Sequence, residues 1–151
     1  MEDISYAQAT AADFSDVVAL LKRCALPDTD LASGHLEHFV VCRAGGRLVG
    51  TIGIELFGDL GLLRSLAVTP ADRGRRIAHE LWTRAKQRAK DHRVRHLYLL
   101  TTSAADLFSR WGFHRIPREE VPAALRATAE FSELCPSTAV VMTMELHAPE
   151  D

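Results

Sequence analysis

Residues 62–78 read LLRSLAVTPADRGRRIA and are the most informative part of the sequence. An apolar strand pattern ends at Val68, a turn with the sequence Arg-Gly-Arg-Arg occupies positions 73–76, and a helical pattern begins at Ile77. A helix N-terminus offers unpaired backbone N–H groups and a partial positive charge, and a nearby glycine lets an anion approach the backbone. Arginines add charge-assisted hydrogen bonds to phosphate. The stretch therefore predicts a strand, a turn and a helix that together bind a phosphate group.

The segments on either side of that turn have clear patterns of their own. From Ile77 to about Asp91 apolar residues recur at helical spacing, which predicts a long amphipathic helix. Simple alternation along 48–56 places Leu48 on the same face as Ile52. Alternation along the strand 62–68 groups four residues on one face, namely Leu62, Arg64, Leu66 and Val68.

The rest of the chain supplies further strands and helices. Strands are predicted at 4–9, 39–41, 97–100 and 140–146, and the run at 97–100 is apolar throughout, as in an interior strand. Gly45-Gly46 predicts a hairpin. Helices are predicted after a cap at Asp13, after a capping box of Ser103 with Asp106, and over 122–131. Strands alternating with helices predict a mixed α/β fold, with a central sheet of about six to seven strands and helices on both faces.

The composition indicates one domain spanning residues 1–151, with hydrophobic residues at 47% and charged residues at 25%. The net charge of −2 and the lack of a long basic run argue against nucleic acid or an anionic membrane as the partner, and favour a small molecule. No apolar run has the length of a bilayer and the N-terminus has no leader pattern, so we expect a cytoplasmic protein. Three widely spaced cysteines predict neither a disulfide framework nor a metal site.

At the central stretch the sequence resembles the GCN5-related N-acetyltransferases (GNAT), whose fingerprint is Gln/Arg-x-x-Gly-x-Gly/Ala between a strand and a helix. Arg73 and Ala78 match its ends, whereas Arg76 stands where the family usually has its first defining glycine. An arginine there costs little if its backbone is helical, and about 1–2 kcal/mol if it needs positive φ. Residues 105–113, ADLFSRWGF, resemble the family's Ala-x-x-Phe-Tyr-x-x-x-Gly-Phe segment, and the likeness extends over roughly residues 4–115.

The resemblance implies the GNAT fold, with acetyl-CoA as co-substrate and no metal. It implies that the strands 62–68 and 97–100 splay apart, so that the pantetheine arm of the coenzyme meets free backbone groups. Many members have a tyrosine that protonates the leaving thiolate where this chain has Phe108, and several have a glutamate base where it has Leu62. The coenzyme-binding residues implied by the resemblance are Leu66, Ala67, Val68, Arg73, Gly74, Arg75, Arg76, Ile77, Ala78 and Phe108.

Closer similarity is to the branch that includes bacterial N-acetylglutamate synthases and arsenic-operon N-acetyltransferases. The stretches 62–68 and 97–102 look like that branch, and the tail 126–137 is similar to its arsenic-associated subgroup. This similarity implies a glutamate-like amine as acceptor, such as arsinothricin or phosphinothricin, in arsenic or toxin resistance. Trivalent arsenic favours thiolates, but Cys135 beside Pro136 is more simply explained as a small buried apolar residue.

An acceptor of this kind needs a cationic partner and a proton acceptor. Arg64 is expected to meet a substrate carboxylate, with an ordinary ion pair to Glu55 or Asp59 as the alternative. Glu55 and His38 are the predicted proton acceptors, and the backbone N–H of Val68 is predicted to polarise the thioester carbonyl. Further predicted substrate contacts are Ser65, His35, Thr101 and Thr102.

Two other functions stay open at the level of the sequence. A degenerate acetyltransferase that binds coenzyme A or a metalloid without turnover is suggested by Arg76, Phe108 and the missing glutamate at position 62. The other is an enzyme of the same fold that acts on peptide or protein amines, which an acidic groove would favour and the local richness in arginine disfavours. A homodimer is also left open.

Overall fold

The computed structural model describes residues 3–128 and 139–146 of the chain. Its strands are β1 (Ile4–Gln8), β2 (Phe39–Ala44), β3 (Arg47–Phe57), β4 (Leu60–Val68), β5 (His96–Thr101), β6 (His114–Ile116) and β7 (Val140–Glu145). Its helices are α1 (Phe14–Arg23), α2 (Ile77–Asp91), α3 (Ala105–Arg110) and α4 (Ala123–Arg126). The strands form one mixed sheet in the order β1-β2-β3-β4-β5-β7-β6. The predicted mixed α/β sheet of six to seven strands is confirmed.

Helices cover both faces of this sheet, as predicted. On one face α2 packs Leu81 into a large apolar cluster with Ile52. On the opposite face α1 packs Leu21 into a second cluster with Val41. A third, smaller cluster joins α4 to the sheet through Leu62, Leu125 and Val141.

The β2–β3 hairpin turns at Gly45-Gly46, where it was predicted. Both glycines have positive φ, 58° and 86°, as a tight hairpin turn requires. Further along β3, Gly53 lies opposite Phe39, and a Cβ at Gly53 would come within 2.2 Å of the Phe39 ring. A side chain at that position would therefore displace the Phe39 ring.

A bulge in β3 breaks the alternation predicted for that strand. Cys42 of β2 pairs with Gly50, but the next residue of β2 pairs with Leu48, so Val49 is an extra residue. An extra residue shifts the side chains beyond it to the other face. Leu48 accordingly packs in the α1 cluster, whereas Ile52 packs in the α2 cluster, and the prediction that they share a face was wrong.

A second bulge, at Ser65, has the same effect in β4. Ser65 has a φ of 60°, and the register against β3 shifts there. Before the bulge Leu62 packs in the α4 cluster, and after it Leu66 and Val68 pack in the α2 cluster. The prediction that Leu62, Arg64, Leu66 and Val68 lie on one face was therefore wrong, because alternation holds only while the ladder is regular.

The parallel strands β4 and β5 separate along their length. Residues 60–62 of β4 pair with residues 96–98 of β5, and within the described strands the ladder between them ends there. β5 is paired on its other side with β7 from His96 to Thr101. The predicted splay between 62–68 and 97–100 is confirmed, and it opens the sheet at the carboxyl end of β4.

Helix α3 ends as predicted but begins differently. Gly112 has a φ of 107°, and the Phe113 N–H donates to the Phe108 carbonyl at 3.0 Å, as in a Schellman motif. The helix is preceded by Ala104, not by Ser103, and the Ala104 N–H donates to the Thr101 hydroxyl oxygen at 2.9 Å. The predicted Ser103 capping box was wrong, because Thr101 supplies the side-chain acceptor at this end.

The start of α1 and the C-terminal part of the chain differ from the sequence predictions. Asp13 precedes α1 but makes no side-chain cap to it, since its carboxylate accepts hydrogen bonds from the Thr10 N–H and from Arg43. Strand β6 was not predicted. Of the helix predicted over 122–131, the structure describes α4 and a turn up to Thr128, and the tail that contains Cys135 lies outside the described residues.

Candidate functional site

The diverging strands form a cleft of about 1150 Å³. One wall is β4, another is the end of β5 with the start of α3, and a third is the segment 24–29 that follows α1. The cleft is closed at one end by the turn that leads into α2. The predicted site residues that line it are Arg64, Ser65, Leu66, Ala67, Val68, Arg73, Gly74, Arg76, Ile77, Ala78, Thr101, Thr102 and Phe108.

Strand β4 turns backbone groups toward this cleft. The Thr69 N–H donates to the Val49 carbonyl at 2.9 Å, so Thr69 directs its groups toward β3. Backbone groups alternate between the two edges of a strand, and those of Leu66 and Val68 therefore point toward the gap beside β5. The Val68 carbonyl accepts a hydrogen bond from Arg73 Nε at 3.1 Å. The gap thus offers polar backbone to an extended ligand.

The turn before α2 has the backbone of an anion site. Gly74 and Arg76 both have positive φ, 87° and 63°, and Arg76 directly precedes the helix. The Glu80 N–H donates to the Arg76 carbonyl, so the N–H groups of residues 76–79 precede the first intrahelical bond. Together with the helix dipole they favour a negative charge at this point.

Arg76 adopts the left-handed conformation that costs a side chain about 1–2 kcal/mol relative to glycine. Of the two alternatives considered for an arginine in place of the fingerprint glycine, the structure therefore has the costly one, with positive φ. The side chain itself is exposed and lines the cleft. A strained, positively charged residue at the mouth of a site is consistent with a binding role.

Arg75 is the exception among the predicted coenzyme residues, because its side chain lies outside the cleft lining. Its guanidinium donates to Asp72 Oδ1 at 2.9 Å, and the Thr69 hydroxyl donates to Asp72 Oδ2 at 2.5 Å. These hydrogen bonds, that of Thr69 first, lower the pKa of Asp72 below its usual value. The Asp72 carboxylate thus ties the turn to the end of β4.

Aromatic rings support the wall formed by α3. Phe108 lines the cleft and meets Trp111 and Phe113 edge-on, at ring-centroid distances of 5.5 and 5.7 Å. Trp111 stacks on Trp82 of α2 at 5.5 Å. These ring contacts hold α3 in place, so that the same side of the helix faces the cleft. Phe108 contributes no hydroxyl group to the cleft.

The far end of the cleft contains a buried ion cluster centred on Arg64, whose side chain is 0% exposed. Arg64 Nη1 and Nη2 donate to the two carboxylate oxygens of Asp30 at 2.5 and 2.8 Å. Nη1 also donates to Glu55 at 3.1 Å, and Nε donates to the Ser65 hydroxyl oxygen at 3.0 Å. The hydrogen bond from Arg64 is the main reason that the pKa of Asp30 is lowered.

The predicted proton acceptors lie at different distances from this cluster. Glu55 belongs to it, and His35 Nε2 is 3.9 Å from Glu55 Oε1. The Ala32 N–H donates to His35 Nδ1 at 2.9 Å, so in the neutral ring the proton is on Nε2, facing Glu55. Neither Glu55 nor His35 lines the cleft directly.

His38 packs elsewhere, against the C-terminal half of α2. Arg88 Nε donates to His38 Nδ1 at 3.2 Å, and the His92 ring meets the His38 ring edge-on at 5.0 Å. Burial, and then the charge of Arg88, lower the pKa of His38. The structure does not bring this residue to the cleft.

Sequence reasoning missed the wall 24–29 and Asp30. Residues 27–34 look like an ordinary polar connection, and no motif marks Asp30 as the partner of a residue 34 positions away. The only sequence feature that could have pointed to Asp30 was its negative charge in the connection after the first helix. Leu107 and Trp111, which also line the cleft, could have been found from the spacing of apolar residues in α3.

The Acetyltransferase (GNAT) family model matches residues 7–114, which is most of the chain. The chain belongs to the GNAT family. The matched region holds the parted strands, the turn at 73–76 and α3, so the family assignment covers all the walls of the cleft described above.

Curated relatives of the chain bear the name amino-acid acetyltransferase. One from Mycobacterium tuberculosis is 34% identical over 93 residues, covering 61% of this chain and 50% of that protein. One from Photobacterium profundum is 28% identical over 98 residues, covering 64% of this chain and 22% of that protein. The chain thus spans half the length of the first relative and less of the second.

Solved structures agree with the GNAT fold. N-acetylglutamate synthase from Neisseria gonorrhoeae, complexed with coenzyme A and N-acetyl-glutamate, has a TM-score of 0.82 at 21% identity, over 96% of this chain and 35% of that one. A Mycobacterium tuberculosis protein complexed with CoA and a second ligand has a TM-score of 0.81 at 25% identity, over 95% of this chain and 99% of that one.

Two features are absent from residues 3–128 and 139–146. In these ranges no helix combines the length and apolar character needed to cross a membrane. The same ranges contain no group of three or more His, Cys, Asp or Glu side chains arranged to hold a metal ion.

Proposed function

We propose that this GNAT chain is an acetyl-CoA-dependent N-acetyltransferase that acylates the amine of a small, amino-acid-like acceptor. The observation that carries the proposal is a cleft in which a parted strand edge leads to a helix N-terminus flanked by two arginines. Relatives named amino-acid acetyltransferases support the activity, and the structural relatives solved with coenzyme A support the co-substrate.

The residues present fit the coenzyme in two parts. The diphosphate would bind the N–H groups at 76–78 and the side chains of Arg73 and Arg76, since exposed guanidinium groups pair well with phosphate. The pantetheine arm would extend along the gap and bond the backbone groups of Leu66 and Val68, while Phe108 borders its thiol end. Arg75 would contribute through its backbone, because its guanidinium is held by Asp72.

The chemistry is thioester aminolysis within a ternary complex. The neutral amine attacks the acetyl carbonyl carbon, a C–N bond forms, and the C–S bond breaks to release the thiolate of coenzyme A. The Val68 N–H would stabilise the oxyanion that develops. Phe108 cannot supply a proton to the thiolate, and water in the cleft would take that role.

The attacking ammonium must first lose a proton. Of the two predicted proton acceptors, the geometry favours Glu55, which lies in the Arg64 cluster beside the cleft, over His38, which packs against α2. Because Glu55 does not line the cleft, the transfer would pass through water. His35, facing Glu55, would carry the proton onward to solvent.

The acceptor would occupy the end of the cleft bordered by Arg64, Ser65, Thr101 and Thr102. We propose a glutamate-type amine, including antimetabolites such as arsinothricin and phosphinothricin, and hence a role in arsenic or toxin resistance. The support is the branch to which the sequence is similar and the amino-acid acetyltransferases among its relatives.

A second candidate is a coenzyme A-binding protein without turnover. The strained Arg76 and the absence of a hydroxyl on Phe108 favour it, because many catalytic members of the family have a glycine at the first position and a proton-donating tyrosine at the second.

The test is the release of free thiol from acetyl-CoA with purified protein and a panel of acceptors. The panel contains the common amino acids, aminoglycosides, a peptide amine, phosphinothricin and arsinothricin. We expect thiol release that depends on an amino acid or on one of the glutamate analogues. Tight coenzyme binding with no acceptor-dependent thiol release would contradict the proposed acetyltransferase activity and support a coenzyme A-binding protein without turnover.

A further inference from the structure

Arg64 is surrounded by partners that belong to the protein itself. Both oxygens of Asp30 and one of Glu55 accept hydrogen bonds from its guanidinium, and the Ser65 hydroxyl accepts a fourth. The side chain has no exposed surface. A buried cation with two carboxylates and good geometry is already neutralised.

The partners of Arg64 come from three different parts of the fold. Asp30 follows the wall 24–29, Glu55 is in β3, and Ser65 is the bulge residue of β4 with a φ of 60°. A side chain rarely adopts that φ unless its surroundings hold it there. The cluster therefore connects the wall of the cleft to the strained strand on which the acetyl group would lie.

We propose that Asp30 is a positioning residue of the acceptor site. By holding Arg64, it fixes the wall 24–29 against the bulge at Ser65 and so sets the shape in which an acceptor binds. Asp30 itself does not line the cleft in the described part of the chain. The inference rests on the proposed function, since it concerns the end of the cleft that the acceptor would occupy.

A different role for the same residues makes the opposite prediction. If Arg64 bound the carboxylate of an acceptor directly, Asp30 would compete for the guanidinium, and removing its charge would improve acceptor binding. The geometry disfavours that role, because an acceptor would have to displace two charge-assisted hydrogen bonds and reach a side chain that is 0% exposed. A rise in the acceptor KM of Asp30→Asn therefore supports the positioning role of Asp30, and a fall supports direct binding of the acceptor by Arg64.

The experiment compares Asp30→Asn, Asp30→Glu and wild type, with Asp59→Asn in the exposed β3–β4 turn as the matched control. Acceptor KM and kcat are measured with L-glutamate and every other amino acid that wild type accepts, and coenzyme A affinity is measured by calorimetry. For Asp30→Asn we expect the acceptor KM to rise about tenfold with the coenzyme Kd within about twofold of wild type. Asp30→Glu should recover part of the loss, and Asp59→Asn should resemble wild type.

An unchanged or lowered acceptor KM in Asp30→Asn would overturn the proposal, and so would a parallel loss of coenzyme affinity, which would indicate general damage. Amide hydrogen exchange supplies a measurement that needs no turnover. We expect faster exchange in both 24–32 and 63–68 of Asp30→Asn, with α2 unchanged, and no change in those two segments would also overturn it. If wild type accepts no amine at all, the proposed function fails, while the exchange data still decide on the cluster.

Discussion

At the α2 end of the cleft Arg73 and Arg76 are exposed, whereas at the other end Arg64 is buried and bonded to Asp30 and Glu55. Among the described residues, no carboxylate pairs with Arg73 or Arg76. Their positive charge adds to that of the helix N-terminus, while the charge of Arg64 is cancelled within the fold.

This difference shows that an arginine beside a cleft is not by itself a ligand-binding group. Exposed arginines without an acidic partner are available to an incoming phosphate, and their substitution should weaken coenzyme binding. A buried arginine with two acidic partners holds the walls around it in place, and its substitution should mainly lower the free energy of unfolding. Variants at each end can test this division.

The largest effect is expected from Arg64→Leu. It removes the cation and leaves Asp30 and Glu55 facing each other without compensation, so the free energy of unfolding should fall by about 3 kcal/mol. Urea denaturation at neutral pH measures this, with Arg76→Leu as the control at the exposed end. If Arg64→Leu lowers the free energy of unfolding by less than Arg76→Leu does, the ion cluster around Arg64 does not stabilise the fold.

The next largest effect is expected from Arg73→Ala. Loss of a charge-assisted hydrogen bond to phosphate, and of the Arg73 contact with the Val68 carbonyl, should raise the coenzyme A Kd by roughly ten- to a hundredfold with little change in kcat. Arg75→Ala is the matched control, because the Arg75 guanidinium is bonded to Asp72, and its Kd should change much less. Equal effects of the two variants in calorimetry would contradict the assignment.

A smaller effect concerns pH. The pKa of Asp30 is lowered from its ordinary value of 3.8, chiefly by the hydrogen bond from Arg64. A depressed folded-state pKa stabilises the protein above the ordinary value, and this contribution is lost as the pH falls through the folded-state pKa. The stability difference between wild type and Asp30→Asn should therefore stay nearly constant down to about pH 4 and shrink below it, by on the order of 1 kcal/mol, the size of one hydrogen bond. A difference independent of pH in urea titrations would argue against the ion pair.

The smallest effect is expected from Arg76→Gly. Glycine adopts a φ of 63° without the left-handed penalty, and this gain of about 1–2 kcal/mol is partly offset by the greater entropy of glycine in the unfolded chain. We expect a net stabilisation of about 0.5 kcal/mol, seen as a slightly higher Tm. A lower Tm would show that the Arg76 side chain makes a stabilising contact.

The end of the cleft at α2 could be predicted from the sequence because it is local. Strand, turn and helix follow one another within 62–78, and each has its own pattern of apolar residues and turn residues. The splay of β4 from β5 came from the family resemblance, since nothing in either strand alone indicates it.

The other end could not be predicted, for two physical reasons. Bulges at Val49 and Ser65 depend on the fit between strands, and alternation arguments assume that there are none. The pairing of Arg64 with Asp30 joins residues that are 34 positions apart, and it follows from the tertiary fold. Arg64 was placed beside the cleft, and its ion pair with Glu55 was one of the predicted alternatives. The face that Arg64 occupies and its pairing with Asp30 were not foreseen.

The proposed function depends on the turn at 73–76 and the start of α2, which we propose bind the diphosphate of the coenzyme. The decisive experiment is a crystal structure of the protein grown with coenzyme A in excess. We expect diphosphate oxygens within hydrogen-bonding distance of the backbone N–H groups of residues 76–78, with Arg73 beside them. Coenzyme bound elsewhere, or a turn closed by the Arg76 side chain, would contradict it.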